Sequence, residues 1–124
     1  MKQEQQKQYA GLWMDQQHAI LITQENGDFS IGDKVKADQY HGYSGEHGAM
    51  NAEKVDNRKY YKALASHILK YDEVLIFGPG KSQEAFLNFL HEDQHFKNKK
   101  ITLDTSGNIT DPQMIAKVRD FFND

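Results

Sequence analysis

Apolar and polar residues alternate in the first third of the chain, a period typical of β-strands with one buried face. The runs 10–15, 18–25 and 28–36 are rich in β-branched and aromatic residues. Two polar residues separate the first run from the second, and Asn26-Gly27, a strong turn signal, precedes the third. The pattern therefore predicts three antiparallel strands joined by tight turns.

The period becomes helical further along the chain. One apolar stripe predicts a first helix, with buried positions Tyr61, Leu64, Ala65, Ile68 and Leu69. The wholly apolar run 73–77 ends at Gly-Pro-Gly and predicts a strand that is buried on both faces and parallel to the first strand.

Two more helices and one more strand complete the prediction. Ser82 is a candidate N-cap for a helix whose buried stripe is Phe86, Phe89 and Leu90. The run 100–107 is the fifth strand. Thr110 and Gln113 form a capping box with proline between them, which predicts a last helix with Ile115, Val118 and Phe122 facing inward.

The element order is β-β-β-α-β-α-β-α, which predicts an α/β domain with one mixed, five-stranded sheet and helices packed on its faces. This is the order of ribonuclease-H-like folds. We expect residues 1–9 to form a flexible tail and residues 10–124 to form the domain. The predicted core is Trp13, Ile20, Ile22, Leu64, Ile68, Leu75, Phe77, Phe86, Leu90, Ile101, Ile115, Val118 and Phe122.

The amino-acid composition excludes several classes of function for this protein. The 124 residues carry a formal net charge of -3, so any nucleic-acid binding must use a local basic surface. The absence of cysteine excludes disulfides, thiolate metal sites and a thiol nucleophile. No signal-like or membrane-spanning apolar run is present, so we expect a cytoplasmic protein without a membrane partner. The sequence suggests no cofactor.

Two local motifs resemble catalytic signatures. His91-Glu-Asp-Gln-His95 matches the spacing of a zinc-protease helix, but the helical stripe places both histidines opposite the buried side. Gly78-Pro-Gly-Lys-Ser82 lies between a strand and a helix, as phosphate-binding loops do. Leu75 occupies the position of the first glycine that a nucleotide-binding loop requires. We expect a solvated helix end and a tight turn.

A ribonuclease-H-like element order also raises the alternative of a metal-dependent nuclease or hydrolase. Such an enzyme needs several carboxylates that converge at one end of the sheet. Asp15 follows the first strand and Asp104 lies in the fifth, whereas the fourth strand ends without a carboxylate. This alternative therefore rests on Asp15, Asp104 and a divalent metal.

The segment 38–51 has no hydrophobic period and is long for a loop in so small a domain. Its aromatic and imidazole side chains can stack on bases, and its glycines permit close backbone approach. Basic residues on both sides can contact phosphates. The candidate RNA- or ribosome-binding residues are His41, Gly42, Tyr43, Ser44, Gly45, Glu46, His47, Lys34, Lys36, Arg58 and Lys59. The alternatives are a linker and a protein-interaction segment that orders on its partner.

At this segment the chain resembles a known family. The stretches GLWMDQQHAILI, YHGYSGEHGAMNAEK, RKYYKALASHILK and VLIFGPGKSQEAFL are similar to the middle domain of archaeo-eukaryotic class-I release factors and their paralogue Pelota. The resemblance covers residues 10–122 and is strongest to short, single-domain bacterial versions, the translational machinery proteins. It implies a ribonuclease-H-like fold and a partner in translation.

The release factors carry a His-Gly-x-Gly-Gly-Gln loop that promotes peptide release. His41, Gly42 and Gly45 match this loop, while Ser44 replaces a glycine and Glu46 replaces the glutamine. A carboxylate lacks the amide donor and is repelled by RNA phosphates. The resemblance therefore implies a Pelota-like protein without hydrolytic activity, of the rescue or of the stress and hibernation type, which binds the ribosome or structured RNA.

Overall fold

The computed structural model of the chain describes residues 7–25, 27–37 and 58–123. These residues form five strands, three α-helices and one short 3₁₀-helix. The strands are β1 (Tyr9–Met14), β2 (His18–Glu25), β3 (Asp28–Lys36), β4 (Glu73–Phe77) and β5 (Lys100–Leu103). The helices are α1 (Arg58–Ile68), α2 (Ser82–His91) and α3 (Asp111–Asn123), and the 3₁₀-helix is Gln94–Phe96.

The strands form one mixed sheet of order β3-β2-β1-β4-β5. β1 and β3 are antiparallel to β2, whereas β1, β4 and β5 are parallel. The predicted five-stranded α/β fold, with β4 parallel to β1, is confirmed. Because β1, β3, β4 and β5 share one direction, they all end at the same end of the sheet, which we call the carboxyl end. The opposite end is the amino end.

One face of the sheet packs against α1 and α2. Tyr60, Leu64 and Ile68 of α1 and Phe86 and Leu90 of α2 are buried against this face. The predicted α1 stripe was wrong at its two ends. Tyr60, rather than Tyr61, is the fully buried tyrosine, and Leu69 is 44% exposed because α1 ends one residue before it.

The other face packs against α3 and the segment that leads into it, where Ile109 contacts the core and the Gly107 carbonyl oxygen accepts from Trp13 Nε1 at 3.3 Å. Trp13, Ile20, Ile22, Phe29, Leu75 and Phe77 form a second core with Met114 and Val118 of α3. Gly11 permits the close approach of this helix, since a Cβ there would overlap the Val118 side chain.

Three residues of the predicted core are only partly buried, namely Ile101, Ile115 and Phe122. Ile101 lies in β5, which is the outermost strand and has a described neighbour on one side only. Ile115 and Phe122 flank the fully buried Val118 on α3, so part of each side chain faces solvent. The other ten predicted core residues are buried.

An irregularity in β3 changes which face its side chains cover. Ile20 pairs with Lys34 and Ile22 pairs with Ile31, so β3 has one residue more than β2 between these pairs. Phe29 therefore packs on the α3 side and Val35 on the α1 side. Alternation along the sequence alone would have placed both on one face.

The helix starts follow the sequence at α3 and depart from it at α2. The amide of Gln113 donates to Thr110 Oγ1 at 3.2 Å, and Gln113 Oε1 accepts from the Thr110 amide at 2.9 Å, which confirms the capping box. The predicted Ser82 cap was wrong. Lys81 is the N-cap of α2 without a side-chain cap bond, and Ser82 is buried in the first turn.

No helix of the described residues is long and apolar enough to cross a membrane.

Candidate functional site

The turn between β1 and β2 lies at the carboxyl end of the sheet and is held by one carboxylate. Asp15 Oδ1 accepts hydrogen bonds from the backbone amides of Gln17 and His18, each at 2.8 Å. The imidazole Nδ1 of His18 lies 3.4 Å from the same oxygen. These contacts fix the predicted hairpin, and they use the Asp15 carboxylate for a structural role.

The start of α1 is tied to this turn. The buried hydroxyl of Tyr60 donates to the carbonyl oxygen of Asp15 at 3.1 Å. Burial, together with the negative charge of Asp15 and the neighbouring Tyr61, raises the pKa of the Tyr60 hydroxyl, so it remains a donor throughout the physiological range. The contact places Arg58 and Lys59, which precede Tyr60 in the first turn, at the carboxyl end of the sheet.

The turn between β4 and α2 contributes the second wall of the site. Gly78 has φ +152°, and a Cβ at this residue would overlap the carbonyl oxygen of Met14. Gly80 has φ +74° and also lies in the region that favours glycine. The predicted tight turn is confirmed, and it brings the ends of β4 and β1 into direct contact.

A buried glutamine holds this turn to β5. Gln83 is 3% exposed, and its Nε2 donates to the carbonyl oxygens of Gly78 at 2.9 Å and Asp104 at 3.1 Å. The amide of Ser106 also donates to the Gly78 carbonyl oxygen at 2.9 Å. The ends of β4 and β5 and the first turn of α2 therefore form one hydrogen-bonded unit.

Asp104 connects the same end of the sheet to α3. Its Oδ2 lies 2.8 Å from Lys117 Nζ, and its Oδ1 accepts from the Thr105 amide at 2.8 Å. The hydrogen bond from Lys117, and after it that from Thr105, lowers the pKa of the Asp104 carboxyl. This carboxylate is therefore paired within the protein.

The β1–β2 turn and the β4–α2 turn border an open cleft of about 330 Å³. Asp15, Gln16 and Gln17 line one side, and Pro79 and Lys81 line the other. Lys81 is exposed at the start of α2, where first-turn amides and the helix dipole favour an anion. The cleft combines hydrogen-bonding groups with one cation, which suits a polar and negatively charged partner.

The structure brings the predicted basic residues to the carboxyl end from different faces. Lys36 pairs with His18 beside the first turn, and Lys34 pairs with Ile20 further along β3. Ile20 belongs to the α3-side core, so Lys34 and Lys36 lie on that side of the sheet. Arg58 and Lys59 begin α1 on the opposite side. All four side chains are exposed.

The predicted loop residues His41, Gly42, Tyr43, Ser44, Gly45, Glu46 and His47 lie outside the described residues. Both ends of the segment that contains them are fixed at the carboxyl end of the sheet. On one side, the buried Ala37 donates its amide to the Gln17 carbonyl oxygen at 2.7 Å. On the other side, α1 begins at Arg58, two residues before the Tyr60 contact.

The His91-Glu-Asp-Gln-His95 motif does not lie on one helix. α2 ends at His91, and Asp93 caps the following 3₁₀-helix by accepting from the His95 amide at 2.9 Å. That hydrogen bond, followed by the one from the His95 ring, lowers the pKa of the Asp93 carboxyl. The His95 side chain is 75% exposed. The two histidines therefore lack the one-turn helical spacing on which a zinc-protease site depends.

The two carboxylates of the nuclease alternative are separated by strand order. Asp15 follows β1 and Asp104 follows β5, with β4 between them. Two strand spacings amount to about 10 Å, and each carboxylate already accepts hydrogen bonds inside the protein. Among residues 7–25, 27–37 and 58–123, no three histidine, aspartate or glutamate side chains are grouped so that they could hold a metal ion.

Sequence reasoning missed two residues that build the site, Tyr60 and Gln83. Both are polar side chains on the apolar face of a helix, where hydrophobic periodicity predicts that a residue is buried but not which group it hydrogen-bonds. Tyr60 donates to Asp15, 45 residues away in the chain, and Gln83 donates to Asp104, 21 residues away, as well as to the nearby Gly78. The unusual burial of Gln83 becomes visible only once β4 and β5 are placed together.

No family model and no curated protein matches the sequence. Several solved structures share its fold. Pelota from Thermoplasma acidophilum superposes with a TM-score of 0.63 at 16% identity, covering 95% of this chain and 32% of Pelota. The likeness establishes the fold.

Two further neighbours have the same character. Dom34 from S. cerevisiae, a translation termination-like factor involved in RNA quality control, has a TM-score of 0.56 at 14% identity over 90% of this chain. An archaeal Pelota in a model of its ribosome-bound state with ABCE1 has a TM-score of 0.58 at 21% identity over 88% of this chain. The chain spans about a third of the length of these proteins.

Proposed function

We propose that this chain is a non-catalytic, translation-factor-like protein of the cytoplasm that binds the ribosome or structured RNA through the carboxyl end of its sheet. It is a relative of the Pelota and release-factor middle domain, acting in rescue or in stress and hibernation. The fold shared with Pelota, Dom34 and an archaeal release factor over most of the chain is the observation that carries the proposal.

The position of the candidate residues supports an RNA partner. Residues 38–57 leave and re-enter the described structure at the carboxyl end, where Lys36, Arg58, Lys59 and Lys81 are exposed. All three α-helices also begin there, so their positive dipole ends face a bound phosphate backbone. Local cations and helix starts compensate for the overall charge of -3.

Each part of this surface has a distinct role in the proposed binding. Tyr43, His41 and His47 stack on unpaired bases. Arg58 and Lys59 contact phosphates without reading sequence. The glycines at 42 and 45 permit close approach of the backbone to RNA. The Asp15 and Gln83 contacts act indirectly, because they hold the two turns that flank the cleft.

Ribosome co-sedimentation at low and high salt tests the proposal. About two or three phosphate contacts give a log–log slope of binding against salt of about -2 to -3. Arg58→Glu/Lys59→Glu should abolish most of the bound fraction. The matched control is Lys70→Glu/Arg119→Glu, which makes the same charge change at exposed residues beyond the end of α1 and in the second half of α3. Equal binding by both variants would contradict the proposed surface.

Two changes in the segment 38–51 test the stacking role. His41→Ala/Tyr43→Ala should weaken binding by about 1–3 kcal/mol per lost stack, with an unchanged thermal unfolding midpoint. Glu46→Gln should strengthen binding, because it removes a charge of the same sign as the phosphates. If the double alanine variant co-sediments with ribosomes as well as the wild type does, the segment is a linker.

A further inference from the structure

The outer side of β5 combines unpaired backbone groups with an apolar groove. The amides of Lys100 and Asp104 donate inward, to the carbonyl oxygens of Asp72 at 3.1 Å and Ile76 at 2.9 Å. Backbone groups alternate in direction along a parallel strand. The N–H and C=O groups of Ile101 and Leu103 therefore point outward, and no strand of the described residues pairs with that side.

The groove lies beside these groups, between β5 and the end of α2. It measures about 250 Å³, and its apolar walls are Leu87, Leu90, Phe96 and Ile101. A strand added to β5 would direct alternate side chains to this face of the sheet. One such side chain, large and apolar, would enter the groove.

The residues between Phe96 and Ile101 are basic, unlike the chain as a whole. Lys97, Lys99 and Lys100 follow Phe96 within four residues, although the chain has a net charge of -3. Lys99 is engaged, since its Nζ donates to the Tyr71 carbonyl oxygen at 2.7 Å. Lys97 is exposed, and Lys100 is 74% exposed with its Nζ 3.9 Å from Glu73. Lys97 lines the groove beside Asp93, whose carboxylate already accepts from the His95 amide. Lys100 pairs with Glu73, so its side chain lies on the opposite face of the sheet from Ile101. An added strand would therefore meet one accessible lysine on each face.

The opposite outer strand lacks this combination. β3 carries the irregularity at Gly32 and Asp33, which interrupts pairing with an added strand. Its charges also cancel, since Asp28 and Asp33 share the strand with Lys34 and Lys36. The lysines at 97, 99 and 100 also disfavour a second copy of this chain on β5, because a symmetric pair of β5 strands would bring two lysine clusters together.

We propose that the outer side of β5 binds an extended acidic peptide, which adds a sixth strand and places one large apolar side chain in the groove. Ile101 and Leu103 supply the backbone hydrogen bonds, and Lys97 and Lys100 select for carboxylates. This site is distinct from the carboxyl end of the sheet, so it does not depend on the proposed ribosome or RNA binding.

Backbone NMR of the isotope-labelled full chain tests the proposal with a blocked peptide of about eight residues that alternates glutamate and valine around one leucine. We expect the amide shifts of Ile101 and Leu103 to change most. Replacing each glutamate of the peptide by glutamine should weaken binding about tenfold. N-methylation of the peptide residues that pair with Ile101 and Leu103 should abolish binding. Equal affinity for the glutamine peptide, or shifts confined to other elements, would overturn the proposal.

Charge reversal separates this site from the rest of the surface. Lys97→Glu/Lys100→Glu should weaken binding of the glutamate peptide about tenfold or more. The same variant should gain affinity for a peptide in which lysine replaces each glutamate. The matched control Lys62→Glu/Lys70→Glu changes two exposed lysines on and after α1 and should bind as the wild type does. Equal weakening by both pairs would show that only net charge matters, which would contradict the proposal.

Two further measurements complete the test. Leu87→Asp places a charge in the groove and should abolish peptide binding while the remaining amide shifts keep their native dispersion. An oligouridylate tests the other source of negative charge. If it perturbs the same amides and binds more tightly than the peptide, β5 is an RNA contact and the peptide proposal is wrong. Ribosome co-sedimentation should be unchanged by the Lys97 and Lys100 substitutions.

Discussion

The two ends of the sheet combine hydrogen bonding and aromatic packing in different proportions. At the carboxyl end, backbone and side-chain hydrogen bonds from Asp15, Tyr60 and Gln83 hold turns that contain glycines with positive φ. At the amino end, aromatic rings add to the hydrogen bonds between Gln8 and Asp72. Phe122 stacks on Tyr9 at 4.6 Å and lies 5.8 Å from Phe29 between ring centroids. The turns of the carboxyl end line a polar, open cleft, which is the candidate site, whereas stacked rings join β1, β3 and α3 at the amino end.

Gly78→Ala gives the largest expected loss of stability at the carboxyl end. The substitution should lower the free energy of unfolding by more than about 3 kcal/mol, because strain at positive φ adds to the overlap with the Met14 carbonyl. Chemical denaturation measures the loss. Gly80→Ala is the control in the same turn, since nothing lies within 4 Å of its added Cβ. It should cost only about 1–2 kcal/mol.

Phe122→Ala tests the packing of the amino end. Phe122 is partly buried in the aromatic group with Tyr9 and Phe29, so its loss should cost about 2 kcal/mol, less than the usual cost at a fully buried phenylalanine. Phe121→Ala removes a neighbouring ring that is 36% exposed and should cost less than about 1 kcal/mol. Equal costs in thermal unfolding would remove the distinction between the two rings.

Tyr60→Phe and Tyr9→Phe compare the two ends through a single hydroxyl. The first change leaves the Asp15 carbonyl oxygen without its buried donor and should cost about 1 kcal/mol. The second removes a hydroxyl from a stacked ring whose contribution is packing, and it should cost less than about 0.5 kcal/mol. Urea denaturation of both variants measures the difference. A larger loss for Tyr9→Phe would contradict the assignment of forces.

Asp104 gives the smallest expected effect, and it depends on pH. Its pKa is lowered in the folded state by Lys117, so its contribution to stability is present above the unfolded value of about 3.9 and is lost as the pH falls below it. The side chain is 51% exposed, which limits the contribution to less than about 1 kcal/mol. The stability difference between wild type and Asp104→Asn should shrink on acidification. A difference that is constant with pH would contradict this coupling.

Local signals predicted the elements well because their causes are local. The capping box at Thr110 and Gln113 closes within one turn, and both hairpins follow from residues next to the turns. The prediction of Ser82 as the N-cap was wrong because distant contacts overrode a local signal. A serine before a helix satisfies the local rule, but packing of the β4–α2 turn against β1 and β5 placed this serine inside the first turn.

The candidate site could be predicted only in part. Exposed cations such as Arg58 and Lys59 were identified from their place off the apolar stripe, and the structure locates them at one end of the sheet. The choice of Tyr60 over Tyr61 as the buried tyrosine could not be predicted, because neighbouring helical positions differ by about 100° in direction. The Asp15 carbonyl, which decides between them, is 45 residues away.

The sequence by itself determined which strands and helices form and in what order, since these follow from side-chain period and turn chemistry within a few residues. Only the tertiary structure decided the strand order, the need for glycine at Gly78, the burial of Gln83 and the exposed outer side of β5. Those features arise where segments distant in the chain come into contact, and hydrogen bonding and excluded volume act there between groups that no local pattern relates.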